Sequence, residues 1–249
     1  MNLVEKMGQE IKERVADLLF PKECLGCGKE GKYICNDCEV FLGEAAPAQI
    51  DYSAKYGLDG LVSMWEYEGI AKEALHRIKY RSNFDAIPEF LRKAFQVMRR
   101  DVSRFELFLS FLFSEDVCIA YVPMHIKKQK RRGFNQSKII AKELGKMIDK
   151  ETVNLLEKIK DTPSQTNLDR EERIKNVKDS FAIRLDSKLS LSFTPKGPYA
   201  STESPESSLI NVLLVDDVWT TGATMKECCK TLKKAGVQKV WGFTLFRDV

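Results

Sequence analysis

Apolar residues follow two different periods along the chain, and the two periods alternate. Unbroken or alternating apolar runs predict strands, and they fall at 61–67, 118–122, 212–215 and 240–246. Apolar residues at helical spacing lie between these runs, at 70–78, at 90–113 with a break near Asp101, at 139–144 and at 225–232. The alternation predicts an α/β fold with a mostly parallel sheet flanked by helices, in which the strand at 240–246 lies beside the strand at 212–215.

The same pattern divides the chain into segments. Residues 1–20 predict one amphipathic helix, which either packs on the main domain or binds a partner. Residues 21–46 form a small cysteine-rich module, and residues 60–249 form the α/β domain after a linker. Within that domain, the stretch at 186–208 contains Ser, Pro and Gly and predicts a flexible loop.

Composition and charge narrow the class of protein. A length of 249 residues with 43% hydrophobic content suits one good-sized core plus a small module, which excludes a largely disordered chain. The net charge of +4 is too small to indicate a nucleic-acid or membrane partner by itself. No apolar stretch has the length of a membrane span, and the N-terminal segment lacks a signal peptide's layout, so we expect a cytoplasmic location.

Four cysteines form two CxxC pairs in the stretch CLGCGKEGKYICNDC; they are Cys24, Cys27, Cys35 and Cys38. A stretch this short and glycine-rich cannot bury a core of its own, whereas four thiolates at this spacing can close a tetrahedral Zn²⁺ site. Two disulfides or four reduced structural cysteines are the alternatives; a cytoplasmic setting disfavours the first, and the polar intervening residues disfavour the second. We expect a structural zinc ion, because four protein ligands leave no open position for catalysis.

The stretch NVLLVDDVWTTGAT, at 211–224, carries the clearest candidate site. The strand is expected to end at Asp216 and Asp217, before a loop and a helix that stops near Gly236. Backbone N–H groups and the dipole at a helix N-terminus can hold a phosphate, and threonine hydroxyls add donors. Two carboxylates would repel that phosphate, so they suit sugar hydroxyls or hydrated Mg²⁺. An ordinary strand-to-helix turn capped by Asp and Thr is the alternative.

This stretch resembles the phosphoribosyl-pyrophosphate (PRPP) motif of type I phosphoribosyltransferases. The resemblance implies that Asp216 and Asp217 contact the ribose 2′ and 3′ hydroxyls and that Mg²⁺ accompanies PRPP. It also implies that the 5-phosphate is wrapped by the loop of Thr220, Thr221, Gly222, Ala223 and Thr224. The chain departs from the family pattern at Trp219, a bulky residue at this loop that can alter the phosphate pocket.

A second concentration of charge follows the predicted strand at 118–122. Five cations occupy six positions, namely Lys127, Lys128, Lys130, Arg131 and Arg132. We expect a basic loop past the carboxyl end of that strand, where ligands bind in parallel sheets, and so facing the acidic residues. Its cations suit pyrophosphate or a nucleic-acid backbone, and a solvated loop without a ligand is the alternative. Lys79 and Arg81, at the end of the preceding predicted helix, are further candidates for a phosphate contact.

The order of these motifs is similar to that of the ComF competence family over nearly the entire chain. The likeness is carried by the paired CxxC motifs, the PRPP-type motif, the segments YEGIAKEALHRIKYRSN and RRGFNQ, and residues between Ser164 and Phe181. It implies a phosphoribosyltransferase-like protein linked to natural competence and to incoming single-stranded DNA. The partners it implies are PRPP or another phosphorylated ribose, single-stranded DNA and other competence proteins.

Three functions fit these observations. The first is a transferase that moves the ribose of PRPP to an acceptor; no stretch of the sequence indicates a nucleobase pocket or a general base, so no catalytic residue is assigned. The second is a non-catalytic module that binds single-stranded DNA through the basic cluster. The third is a regulator that binds PRPP without turnover and changes its affinity for a partner.

Overall fold

A five-stranded parallel sheet lies at the centre of the computed structural model, which describes residues 21–46, 57–81, 84–162, 170–184 and 211–248. Its strands are β1 (Gly60–Glu66), β2 (Val117–Tyr121), β3 (Thr152–Val153), β6 (Asn211–Trp219) and β7 (Lys239–Arg247). They are arranged in the order β1-β7-β6-β2-β3, and every neighbouring pair is parallel. Two short strands, β4 (Leu156–Lys158) and β5 (Phe181–Ile183), form a separate antiparallel pair. The predicted α/β fold is confirmed.

Helices lie between the strands along most of the chain. They are α1 (Asn36–Glu39), α2 (Gly69–Arg81), α3 (Ala86–Arg100), α4 (Val102–Leu112), α5 (Ile126–Arg132), α6 (Gln136–Ile148), α7 (Arg170–Val177) and α8 (Ala223–Lys234). The predicted break near Asp101 is confirmed, because its carboxylate accepts the N–H of Arg104 at 3.3 Å and caps α4. The predicted stop at Gly236 is also confirmed: its φ is +103°, and the N–H of Val237 donates to Leu232 O at 3.2 Å.

Both faces of the sheet are covered, which explains the unbroken apolar runs in its central strands. On β2, Ile119 and Tyr121 belong to the hydrophobic cluster that includes α2, α3, α4 and α6. Cys118 and Ala120 belong to the cluster on the other face, which includes α8 and the β4–β5 pair. A strand buried on both faces gains from apolar side chains at every position rather than at every second one.

Two local predictions are wrong. β6 does not end at Asp216 and Asp217, because β7 pairs with it as far as Trp219, which lies opposite Arg247. The acidic side chains therefore project from a paired strand and not from a loop. The basic segment at 127–132 is not a loop either, since it forms α5; Lys, Arg and Gln are good helix formers, and Gly133 ends the helix with a φ of +87°.

The cysteine module, residues 21–46, packs directly on the α/β domain. Glu89 of α3 accepts the backbone N–H groups of Tyr33 at 3.1 Å and Ile34 at 2.9 Å. The N–H of Ala45 donates to Met64 O on β1 at 2.9 Å. Side chains of the module share one hydrophobic cluster with α3. The boundary between this module and the domain at 60–249 stays a prediction, but the two segments share a core.

Some predicted features lie outside the described residues. They are the amphipathic helix at 1–20, the loop at 186–208, the part of the ComF-like segment at 163–169 and the side chain of Arg81. Among the helices that are described, none combines the length and the apolar character needed to cross a membrane.

The chain leaves β2 and β6 toward opposite edges of the sheet. β2 leads through α5 and α6 to β3, whereas its neighbour β6 leads through α8 to β7. In open parallel sheets, ligands bind at the carboxyl ends of the strands where this direction reverses. The crevice beside β2 and β6 is therefore the expected position of a site, and the acidic residues and α5 both lie at these strand ends.

Candidate functional site

The acidic pair, Asp216 and Asp217, contacts two helices at the carboxyl end of β6. Ser137 of α6 donates from Oγ to Asp216 Oδ1 at 2.7 Å, and the same oxygen accepts the N–H of Asp217 at 2.9 Å. Lys79 of α2 places Nζ 3.1 Å from Asp217 Oδ2. The Asp217 side chain is only 12% exposed, so this ion pair is mostly shielded from water. Each carboxylate thus has one partner from another element, a hydroxyl for Asp216 and an ammonium for Asp217.

Asp216 is the titratable group of this site that departs furthest from ordinary behaviour. Burial raises the pKa of Asp216 from 3.8 to about 7, and the charge of Asp217 adds to the increase. Three interactions lower the pKa of Asp216 by a smaller amount: the hydrogen bond from Ser137, the hydrogen bond from the N–H of Asp217, and the charge of Lys79. The carboxyl group therefore changes charge near neutral pH, and a bound cation would favour its charged form.

The loop at 220–224 leads straight into the N-terminus of α8. Thr221 Oγ1 accepts the N–H of Ala223 at 3.3 Å, and Gly222 takes a φ of +72° immediately before the helix. The N–H of Lys226 donates to Gly222 O at 2.9 Å. The loop therefore ends at a helix N-terminus, where the partial positive charge of the helix dipole lies.

Trp219, the residue that departs from the family pattern, lies beneath this loop. Trp219 as a whole is 7% exposed, and an ideal Cβ built on Gly222 would lie 2.2 Å from its indole ring. Lys226 Nζ lies 5.7 Å from the centre of the ring. No side chain fits at position 222, both for this reason and because its φ is positive. The indole thus supports the backbone of the loop from the interior.

One part of the basic segment faces the acidic pair. Lys128 is half-buried, and burial, followed by the charges of Arg132, Lys79 and Arg131, lowers the pKa of Lys128. The charge of Asp217 opposes this change and raises the pKa of Lys128. Lys128 is therefore within electrostatic reach of Lys79 and Asp217, whereas Lys79 contacts the acidic pair directly.

The remaining cations of α5 point toward solvent or toward an aromatic ring. Lys127, Lys130 and Arg131 are exposed, and Lys127 Nζ lies 3.6 Å from Asp161. The guanidinium of Arg132 lies 5.6 Å from the centre of the Tyr80 ring. α5 therefore has an inner edge that includes the half-buried Lys128 and an outer edge of three exposed cations, Lys127, Lys130 and Arg131.

Two residues of the site were missed by the sequence analysis. Ser137 lies in the first turn of α6, whose N-cap Asn135 accepts the N–H of Ser137 at 3.0 Å; the N-cap pattern was a usable signal for this turn. Lys158 comes from β4, and burial lowers its pKa, as does the charge of Lys128, while Asp216 opposes the change. No local pattern marked Lys158, because its proximity arises from the separate β4–β5 pair.

The four cysteines of the module converge at one point. Their sulfur atoms all lie within 4.8 Å of one another, and the Sγ atoms of Cys27 and Cys35 are 3.6 Å apart. Four thiolates around one tetrahedral zinc ion at about 2.3 Å would stand slightly under 4 Å apart. The cluster can therefore hold a structural metal ion such as zinc.

The backbone around the cysteines favours a thiolate at Cys24. Burial raises the pKa of Cys24, but the N–H groups of Cys35, Cys27 and Gly26 outweigh it and hold the pKa at about 6. Burial and the neighbouring thiols raise the pKa of Cys38 to about 12. Four sulfurs this close cannot all ionise without a cation between them, which is the role that a metal ion fills.

Comparison with known proteins adds three relatives. The chain is 27% identical to competence protein F of Haemophilus influenzae over 222 residues, which cover 88% of this chain and 82% of the relative. It is 25% identical to competence protein ComFC of Bacillus subtilis over 228 residues, which cover 90% of this chain and 78% of the relative. The chain is also 28% identical to the DNA utilization protein YhgH of Salmonella typhi over 135 residues, which cover 53% of this chain and 49% of the relative. No family model matches the chain.

Proposed function

The chain belongs to the ComF competence family, and we propose that it serves DNA uptake by binding a magnesium-bound phosphorylated ribose, with PRPP as the best candidate. The acidic pair would contact the ribose hydroxyls, and the loop at 220–224 would hold the 5-phosphate. The observation that carries the proposal is the position of both groups at the carboxyl end of β6, next to the strand where the chain direction reverses.

Charge around the acidic pair supports a ligand that carries both hydroxyls and phosphates. The carboxylates repel phosphate, whereas Lys79 and the inner edge of α5 attract it. A pentose with phosphates at both ends places its hydroxyls between two anionic groups and matches this arrangement. Magnesium prefers carboxylate and phosphate oxygens, so it would supply the charge that lets Asp216 and Asp217 stay ionised beside PRPP.

Ribose transfer is the reaction that such a site would perform. A nucleophile would form a bond to C1 while the bond from C1 to pyrophosphate breaks, and the pyrophosphate would leave with both electrons. Lys79 and Lys128 would stabilise the leaving charge. Binding energy from the 5-phosphate, remote from C1, would orient the sugar. Binding of PRPP without turnover would make the protein a PRPP sensor instead.

A calorimetric titration tests the sugar-phosphate site. Mg²⁺-PRPP is added to the wild-type protein and to an Asp216→Asn/Asp217→Asn variant, with ribose 5-phosphate as a second ligand. We expect binding to the wild type and a loss of at least about 100-fold in the variant, because two charged contacts are removed. Asp179→Asn, which changes an exposed carboxylate elsewhere, is the matched control. Equal binding by the wild type and the double variant would refute the proposal.

Binding of single-stranded DNA is a second candidate function, favoured by the outer edge of α5. Lys127, Lys130 and Arg131 present an exposed basic surface, and one relative is named a DNA utilization protein. Replacing these three residues by alanine is expected to weaken binding of a labelled oligonucleotide and to reduce its dependence on salt. An alanine variant with unchanged affinity and unchanged salt dependence would exclude this surface.

A further inference from the structure

Tyr80 is an exposed aromatic ring at the edge of the candidate site. The residue is 67% exposed, although it follows Lys79, which reaches the acidic pair. The neighbouring Ile78 is fully buried, so the two residues lie on opposite sides of α2. The ring is therefore presented to solvent by a helix whose other side is anchored in the core.

Two contacts hold the ring in place. The ring of His76, one helical turn earlier, lies 4.8 Å from the Tyr80 ring between centroids. The guanidinium of Arg132, at the end of α5, lies 5.6 Å from the Tyr80 centroid. A second ring contact, between Phe84 and Phe134 at 4.5 Å, joins the same two regions of the chain. Tyr80 is thus fixed relative to α5 while much of its surface stays open.

An open aromatic ring beside a row of cations suits single-stranded nucleic acid. In such sites, Lys and Arg contact the phosphates while unpaired bases stack on aromatic side chains, and each stacked base contributes to affinity whatever its identity. In a duplex the bases are already stacked and paired, so their faces are not available to a protein ring. Lys127, Lys130 and Arg131 supply the cations here, and Arg132 links them to Tyr80.

We propose that Tyr80 stacks on an unpaired nucleobase of a single-stranded nucleic acid whose phosphates lie along the outer edge of α5. This inference rests on the second candidate function above and adds a base contact to its phosphate contacts. Because Tyr80 follows Lys79 on α2, and Lys79 reaches the acidic pair, the strand would bind on the same side of the domain as the sugar-phosphate site.

Two oligonucleotides separate the base contact from the phosphate contacts. Fluorescence anisotropy is measured with a labelled 12-nucleotide oligothymidylate and with an abasic strand of equal length and charge. Tyr80→Ala is expected to weaken binding of the oligothymidylate by about 5-fold to about 100-fold and to leave the abasic strand unaffected. Tyr80→Phe keeps the ring and is expected to bind as the wild type does. Phe41→Ala, which removes another highly exposed ring in the cysteine module, is the matched control.

The outcomes distinguish the failure of this inference from that of the proposed function. If Tyr80→Ala binds oligothymidylate as well as the wild type while the alanine triple variant of α5 does not, stacking is refuted and phosphate binding stands. Equal weakening on both strands would mean that Tyr80 acts through the shape of α5 and would also refute stacking. A wild type that binds neither strand refutes the inference together with the nucleic-acid candidate, whereas the titration with Mg²⁺-PRPP tests the sugar site separately. Thermal melts of each variant establish that it is folded.

Discussion

Replacing Asp216 by asparagine should make the protein more stable while removing a ligand contact. The folded state raises the pKa of Asp216 from 3.8 to about 7, which means that folding disfavours its charged form. Asparagine has nearly the same shape, and its Oδ1 can still accept from Ser137 Oγ and from the N–H of residue 217. The change therefore removes the charge without removing the hydrogen bonds at that oxygen.

The size of the gain follows from the pKa difference. Each pH unit between the folded and unfolded pKa values corresponds to about 1.4 kcal/mol, which gives about 4 kcal/mol for the fully developed effect. Because the Asp216 residue is only partly buried, solvent screening reduces this to about 2 kcal/mol. For a chain of this length, that corresponds to a rise in melting temperature of about 4–8 °C.

The stability of the wild type is expected to fall as Asp216 loses its proton. Between pH 3.8 and about 7, the folded protein keeps a proton on Asp216 that the unfolded chain has lost, so the wild type loses stability as pH rises through this window. Above about pH 7 the loss is complete. The advantage of Asp216→Asn is therefore largest at pH 8 and about half as large at pH 5.5.

Thermal unfolding followed by circular dichroism at both pH values tests this reasoning. Asp179→Asn is the matched control, because the hydrogen bond and charge of Lys230 lower the pKa of Asp179 and the same substitution there should give no gain. A melting temperature for Asp216→Asn that is equal to or below the wild type at pH 8 would refute the argument. An equal rise in melting temperature at both pH values would show that the charge of Asp216 is not the cause of the rise.

Three further predictions concern other parts of the structure. On the expectation that the four cysteines hold zinc, a chelator should unfold the module and also lower the melting temperature of the α/β domain, because the module shares a hydrophobic cluster with α3. Calorimetry should show one destabilised transition, and an unchanged main transition would contradict this. Glu89→Ala should lower the free energy of unfolding in urea by about 2 kcal/mol, because it removes the acceptors of the Tyr33 and Ile34 N–H groups. Glu89→Gln keeps one acceptor oxygen but turns an amide donor toward the other N–H, so we expect it to lose at least half as much, and an unchanged stability of Glu89→Ala would contradict this. Trp219→Ala should lower the free energy of unfolding by about 3–5 kcal/mol and weaken Mg²⁺-PRPP binding, because the loop at 220–224 loses the ring beneath Gly222. An unchanged affinity in a calorimetric titration would show that the loop does not need this support.

Motifs that depend on neighbouring residues were visible in the sequence. The paired CxxC spacing brought four sulfurs together as expected, because each pair closes a short turn. The stop at Gly236 and the break near Asp101 were also visible, since helix ends are decided by a few consecutive residues. The sequence did not show where β6 ends, because the strand continues as far as β7 supplies a pairing partner.

The sequence by itself determined the alternation of strands and helices, the cysteine cluster and the stretch that carries the acidic pair, because each is specified by periodicity or spacing within a short segment. The tertiary structure alone decided that Lys79 reaches Asp217 and that Ser137 contacts Asp216. It also decided that Lys158 of β4 acts on the charge of this site and that the pKa of Asp216 rises to about 7. The physical reason is that distance and burial set electrostatic energies, and both arise only when segments far apart in the chain pack together.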